Sequence, residues 1–194
     1  MYQVIGGVSS RAFRVIWMLE ELGEEFEVLT VKPHSPEAKA ANPSGKIPAL
    51  RVDGNCITDS NAILTYLADK HGALTYAPGT LPRARQDALH HQVLDELDAI
   101  LWTAARHSFI LPEDQRVPAV KDSLKQEYLR NTARLVAEIE GPFLLGDQMT
   151  IADIVLTHCL NWAHVARFPK PDDRLTAYAK EMRAREAFQR ALKR

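Results

Sequence analysis

Cysteine is nearly missing from this chain: its 194 residues include two, Cys56 and Cys159. They lie far apart, in no CxxC pair and no zinc-ligand spacing, so a disulfide-built fold, a dithiol redox motif and a structural zinc site are not expected. Long apolar runs are missing as well. None approaches the roughly 18 residues needed to cross a bilayer, and the opening MYQVIGG lacks the basic start and long apolar centre of a secretory leader. There is no excess of one charge either. Lys and Arg number 24 against 25 Asp and Glu, for a formal net charge of -1, and the two signs are mixed along the chain. A basic stripe, the usual footprint of a nucleic-acid partner, is absent. Neither an internal repeat nor a low-complexity tract is found. The expectation is a reduced, cytoplasmic protein with no metal, no nucleic-acid partner and no membrane partner. The length suits one large domain or two small ones.

Strand and helix patterns alternate over the first seventy or so residues. YQVI reads as a strand, and Phe13, Ile16, Trp17 and Leu19 recur at helical spacing as far as Gly23, which suits a left-handed helix stop. FEVLTV reads as a second strand, and Ser35 to Ala41 as a short helix halted by Asn42-Pro43. IPALRV, Asp53-Gly54 and NCI read as a hairpin, and Asp59 opens a helix that closes at Gly72. The order βαβ-α-ββα predicts a small mixed sheet with packed helices. Beyond the segment TYAPGTLPR the strand signals stop. Apolar residues then recur every three or four positions from Arg83 to Phe109 and from Val117 to Glu140, with further helices from Thr150 onward. The expected division is an α/β domain over 1–74, a linker over 75–82 and an all-α domain over 83–194.

Four short segments carry the chemistry. In GGVSSRAFRV, Gly6 to Val15, two adjacent serines stand where strand turns into helix. In NPSGKIPAL, Asn42 to Leu50, a proline beside a sheet strand would cost a ladder hydrogen bond. A cis Ile47–Pro48 bond would instead turn the Ile47 backbone N–H and C=O toward an extended peptide ligand. A trans proline at a strand start is the alternative. In TDSNAIL, Thr58 to Leu64, Asp59 and Ser60 stand at a helix start. Asp59 is a simple N-cap on one view. On the other, the Ser60 hydroxyl and the free amides cradle a carboxylate while Asp59 accepts from an ammonium group. In GDQMTIADI, Gly146 to Ile154, Thr150 caps a helix, Asp153 reaches back three residues, and Met149 staples against Ile154.

These segments, in this order and followed by an all-α half, resemble the cytosolic glutathione transferases over essentially the whole chain. The resemblance implies a thioredoxin-like N-terminal domain that binds glutathione, a helical domain that forms the second-substrate pocket, and a homodimer. It implies that Ile47 holds the cysteinyl backbone of glutathione beside a cis Pro48, and that Asp59 and Ser60 hold the γ-glutamyl end. Lys46 is a candidate for the glycine carboxylate, and so is His34. The serine- or cysteine-type members place the thiol-contacting residue just before the first helix, which falls on Ser9. A helix starting at Arg11 agrees, because Ser10 would then be the N-cap and Ser9 would be free. Ser10 remains the alternative contact.

The hydroxyl need only donate a hydrogen bond. A thiol of pKa about 8.5 that must titrate two units lower requires roughly 2.7 kcal/mol. A hydrogen bond to a charged acceptor supplies about 1.5–3 kcal/mol and a helix N-terminus about 0.3–1 kcal/mol. Arg11 and Arg14, cations in the first helical turn, oppose the macrodipole on a solvated face unless an anion binds there, and Arg11 is a candidate to assist the thiolate.

Trp102, Arg106 and Phe109 are candidates for the second-substrate pocket, between the N-domain loop and the long helix. The two aromatic residues could equally be core. His90, His91 and Asp95 form a weak metal-like cluster that reads better as a solvated face. Cys56 reads as a buried strand residue. The expected activity is addition of the glutathione thiol to a small hydrophobic electrophile. The alternatives are a glutathione-dependent isomerase, peroxidase or dehalogenase, or a non-catalytic glutathione-binding or protein-interaction module.

Overall fold

The structure is a computed structural model that describes residues 1–194. By its contacts the chain forms two compact units, Met1–Pro78 together with Arg183–Arg194, and Gly79–Met182. The last twelve residues therefore pack with the α/β unit rather than with the all-α domain expected from 83 onward.

The α/β unit has the expected order: β1 (Tyr2–Ile5), α1 (Ala12–Leu22), β2 (Phe26–Leu29), α2 (Pro36–Ala41), β3 (Ala49–Val52), β4 (Asn55–Thr58) and α3 (Ser60–His71). The sheet runs β2-β1-β3-β4. β1 pairs parallel with β2, Ile5 opposite Leu29, and antiparallel with β3, Ile5 opposite Ala49. The hairpin turns at Asp53 and Gly54, both at positive φ, the geometry a two-residue hairpin loop requires. α1 is buried on every side from Ala12 to Glu20. That suits a helix covered by sheet on one flank and helices on others, and it explains the apolar run VIWML. It ends at Gly23 in the left-handed conformation.

The C-terminal helix of this unit, Glu186–Ala191, locks onto α1. Phe188 meets Phe13 and Trp17 edge-on, with centroids 5.0 and 4.9 Å apart. Around this aromatic contact Arg185 pairs with Glu21 at 2.7 Å, and Arg190 and Arg194 converge on Glu20. Burial alone would raise the Glu20 carboxyl, but hydrogen bonds and charge from the two arginines outweigh it and hold the group below its ordinary value.

The helical unit opens with α4 (Leu81–Val93), capped by the Thr80 hydroxyl. It continues through a π-helical turn at Leu94–Asp98 into α5 (Ala99–Ala105) and a second π turn at Arg106–Ile110. α6 (Val120–Glu138), α7 (Ile151–Val165) and α8 (Asp173–Ala184) follow, so the C-terminal helix is α9. A π turn disturbs the regular carbonyl ladder, and here Asn131 of α6 donates to the Glu96 carbonyl at 2.9 Å.

The start of α7 is a buried hub. Asp153 accepts from the Thr150 amide and hydroxyl, the Leu144 amide and the Tyr178 hydroxyl, at 2.8 to 3.1 Å. Burial pushes its carboxyl above the ordinary range even though these four bonds act against the shift. Thr150 and Asp153 form the capping box that the sequence pattern predicts. No helix is long and apolar enough to cross a membrane.

Candidate functional site

Three loops of the α/β unit carry the residues expected to contact glutathione, and glycines set how closely these loops approach one another. Gly6 has φ +127, open to glycine and not to other residues. A β-carbon there would lie 2.9 Å from that of Ala12 and 3.2 Å from that of Ile47, so the loop before α1 lies against the loop before β3. Gly45, at φ +68, lets a second pair of loops close: the His34 amide donates to its carbonyl at 2.7 Å, and a β-carbon at Gly45 would strike the His34 backbone.

The two serines differ sharply. α1 begins at Ala12, one residue later than expected, and Arg11 occupies the backbone N-cap position without a side-chain cap. The cap is supplied from one step earlier. The Ser10 hydroxyl accepts from the Ala12 amide at 3.1 Å and donates to the Gly7 carbonyl at 2.8 Å. Its donor and one lone pair are thus engaged. Ser9 is exposed, and its hydroxyl makes no hydrogen bond within the chain. Arg11 is half-buried beside them.

The Ile47–Pro48 bond is cis. Ile47 is half-buried and its N–H and C=O are used by no other backbone group, whereas Pro48 is buried. Lys46 and His34 are exposed on neighbouring loops. His34 itself has φ +64.

At the start of α3, Asp59 accepts from the amides of Asn61 and Ala62 at 2.8 and 3.2 Å. It is therefore a true N-cap, at φ +70, a conformation costly for a residue with a β-carbon. Ser60, the first residue of α3, is buried, and its hydroxyl accepts from Nη1 of Arg14 at 3.3 Å. Arg14 was expected on a solvated face and is instead completely buried. Arg14 stands among Phe13, Val15, Ile16 and Trp17 in a helix that is covered on every side, so no face of it remains for a solvated arginine.

Other expectations need correction. Cys56 is exposed rather than buried, because it lies on the edge strand β4 opposite Arg51, which also faces outward. His90 is buried, in line with Gln86, Val93 and Leu97 on the inner stripe of its helix, while His91 and Asp95 are exposed. In the helical unit Trp102 is half-buried on α5 and Arg106 is exposed. Phe109 is 66% exposed, so it is not a core residue.

Comparison with known proteins fits this arrangement. Residues 8–70 match the family described as glutathione S-transferase, N-terminal domain, and residues 103–193 match glutathione S-transferase, C-terminal domain. The chain belongs to the glutathione S-transferase family. A ternary complex of BphK, a bacterial glutathione transferase, aligns with a TM-score of 0.87 and 25% identity over 98% of both chains. A glutathione transferase of Phanerochaete chrysosporium, solved with oxidized glutathione, aligns with a TM-score of 0.82 and 25% identity, covering 99% of this transferase-family chain and 93% of its own. Elongation factor 1-gamma of Trypanosoma cruzi is 32% identical over 124 residues, 62% of this chain and 29% of the elongation factor. The chain spans between 29% and 65% of the length of the first curated relatives it matches.

Proposed function

We propose that this glutathione S-transferase family member is an enzyme that binds glutathione in its α/β unit and ionises the thiol for attack on a small hydrophobic electrophile. The observation that carries the reading is the division between the serines. Ser10 is engaged in capping α1, and Ser9 presents an unengaged hydroxyl at the same helix start. Ser9 donates to the thiolate, and the amide end of α1 and the Arg11 cation add favourable potential. The Ile47 backbone pairs with the cysteinyl unit as an added strand would. Asp59 accepts from the γ-glutamyl ammonium group and Ser60 donates to its carboxylate. Lys46 and His34 attract the glycine carboxylate. Trp102, Arg106 and Phe109 offer an apolar, cationic surface to the electrophile. No metal takes part in this scheme, and the protein works as a cytoplasmic homodimer in detoxification.

Two measurements test the reading. Glutathione should raise the melting temperature, because it binds the native state alone. The protein should also conjugate a generic aryl halide, with a rate that follows ionisation of the bound thiol. Absence of either effect defeats it. A second reading rests on the likeness to elongation factor 1-gamma, in which a related domain forms part of a longer protein. On that reading the chain is a glutathione-binding or protein-interaction module, and glutathione stabilises it with no conjugation of any electrophile tried.

A further inference from the structure

We infer that Arg14 is a positioning residue that fixes the Ser60 hydroxyl as a hydrogen-bond donor and so selects a carboxylate, rather than a neutral group, at the start of α3. This inference rests on the proposed binding of glutathione. Arg14 is completely buried, Ser60 is 2% exposed, and Nη1 of the first lies 3.3 Å from Oγ of the second.

A guanidinium has donors only and keeps its charge throughout the range in which proteins are stable. In this contact the arginine must therefore donate and the serine must accept. A serine hydroxyl has one proton, and the Arg14 N–H occupies one lone pair, so the proton is turned away from Arg14. Without the arginine the hydroxyl could rotate to accept from a ligand amide as readily as donate to a ligand oxygen. With it, Ser60 offers a proton to its ligand.

The neighbouring groups reinforce this polarity. Asp59 Oδ1 holds the amides of Asn61 and Ala62 and the Asp59 carbonyl that of Ile63, which leaves the Ser60 N–H as the first-turn donor beside its own hydroxyl. A neutral primary amide could meet the donor hydroxyl with its one oxygen only, and its NH2 would face the Ser60 N–H donor beside it. A carboxylate brings acceptors only. Discrimination between these two ligands is thus a property of the Arg14–Ser60 pair, and it is separate from activation of the thiol near Ser9.

The experiment compares glutathione with its analogue in which the γ-glutamyl α-carboxylate is a primary amide. Both are titrated calorimetrically into the full chain and its variants. The wild-type protein should bind glutathione at least tenfold more tightly than the amide. Arg14→Met should cut that ratio to about threefold or less, while the thiol of bound glutathione titrates at its wild-type pH. Arg14→Lys, which keeps a charge, should restore part of the ratio. Ser60→Ala, with Arg14 intact, should also lose the preference, and it tests the inference if Arg14→Met does not fold. A purely structural role would weaken both ligands equally. An unchanged ratio in Arg14→Met or in Ser60→Ala overturns the inference. Failure of the wild-type protein to bind glutathione at all defeats the underlying functional reading, and this inference with it.

Discussion

Replacing the two adjacent serines one at a time should separate stability from chemistry. Ser10→Ala removes the bond from the Ala12 amide and the bond to the Gly7 carbonyl. Losing a capping hydroxyl costs about 1 kcal/mol, within a range of roughly 0.5–2. At about 2–4 °C per kcal/mol for a chain of this size, the melting temperature should fall by about 2–4 °C. Ser9→Ala removes an exposed hydroxyl with no partner in the chain, so stability should stay within about 0.5 kcal/mol of wild type. The chemistry should divide the other way. A hydrogen bond to a thiolate is worth about 1.5–3 kcal/mol, which corresponds to one to two pKa units. The bound thiol in Ser9→Ala should therefore titrate about one to two units higher, and conjugation at pH 7 should fall roughly 3- to 25-fold with the thiolate fraction, for a wild-type thiol lowered about two units from 8.5. Ser10→Ala should keep the wild-type titration. The assays are thermal unfolding and the ultraviolet absorbance of the thiolate followed against pH. A raised thiol pKa in Ser10→Ala with a normal one in Ser9→Ala would refute the reasoning.

Asp153→Ala leaves the amides of Leu144 and Thr150 and the Tyr178 hydroxyl without their buried acceptor. At about 1–3 kcal/mol for each orphaned group, urea unfolding should show a loss of at least about 3 kcal/mol, and a loss under 1 kcal/mol would contradict the hub. The Glu20 carboxyl titrates below its ordinary value of 4.5 in the folded chain, so the folded state holds fewer protons there than the unfolded one. Its stabilising effect is complete above that ordinary value and fades as pH drops through the lowered one. Glu20→Gln should accordingly flatten the acid limb of the melting temperature plotted against pH, and an identical limb would count against the latch. Phe188→Ala deletes a buried ring between Phe13 and Trp17. A cost of about 3–5 kcal/mol is expected, together with faster proteolysis within residues 183–194. Unchanged cleavage there would place α9's anchorage elsewhere.

What the sequence determined by itself was the part governed by neighbours along the chain. The order βαβ-α-ββα and then helices follows from periodicity. The stop at Gly23, the turn at Asp53-Gly54 and the Thr150–Asp153 box follow from residue chemistry acting over a few positions. The motifs around Ser9, Ile47 and Asp59 pointed to a family because their order along the chain carries information that no single one has. Helix boundaries were legible only to within a residue, and that residue matters here. Starting α1 at Ala12 instead of Arg11 still leaves Ser10 as the capping hydroxyl, because its side chain reaches two residues ahead.

Tertiary structure alone decided which faces met. Arg14 reaches Ser60 across 46 positions, and Arg190 reaches Glu20 across 170. No local pattern encodes such pairings, so an arginine with the look of a surface charge proved to be buried against Ser60. The same cause exposed Cys56, whose strand has a neighbour on one side only, and buried His90, whose helix turned that stripe inward. Local chemistry specifies an element and its ends, whereas the burial of any one side chain depends on which distant segment comes to cover it.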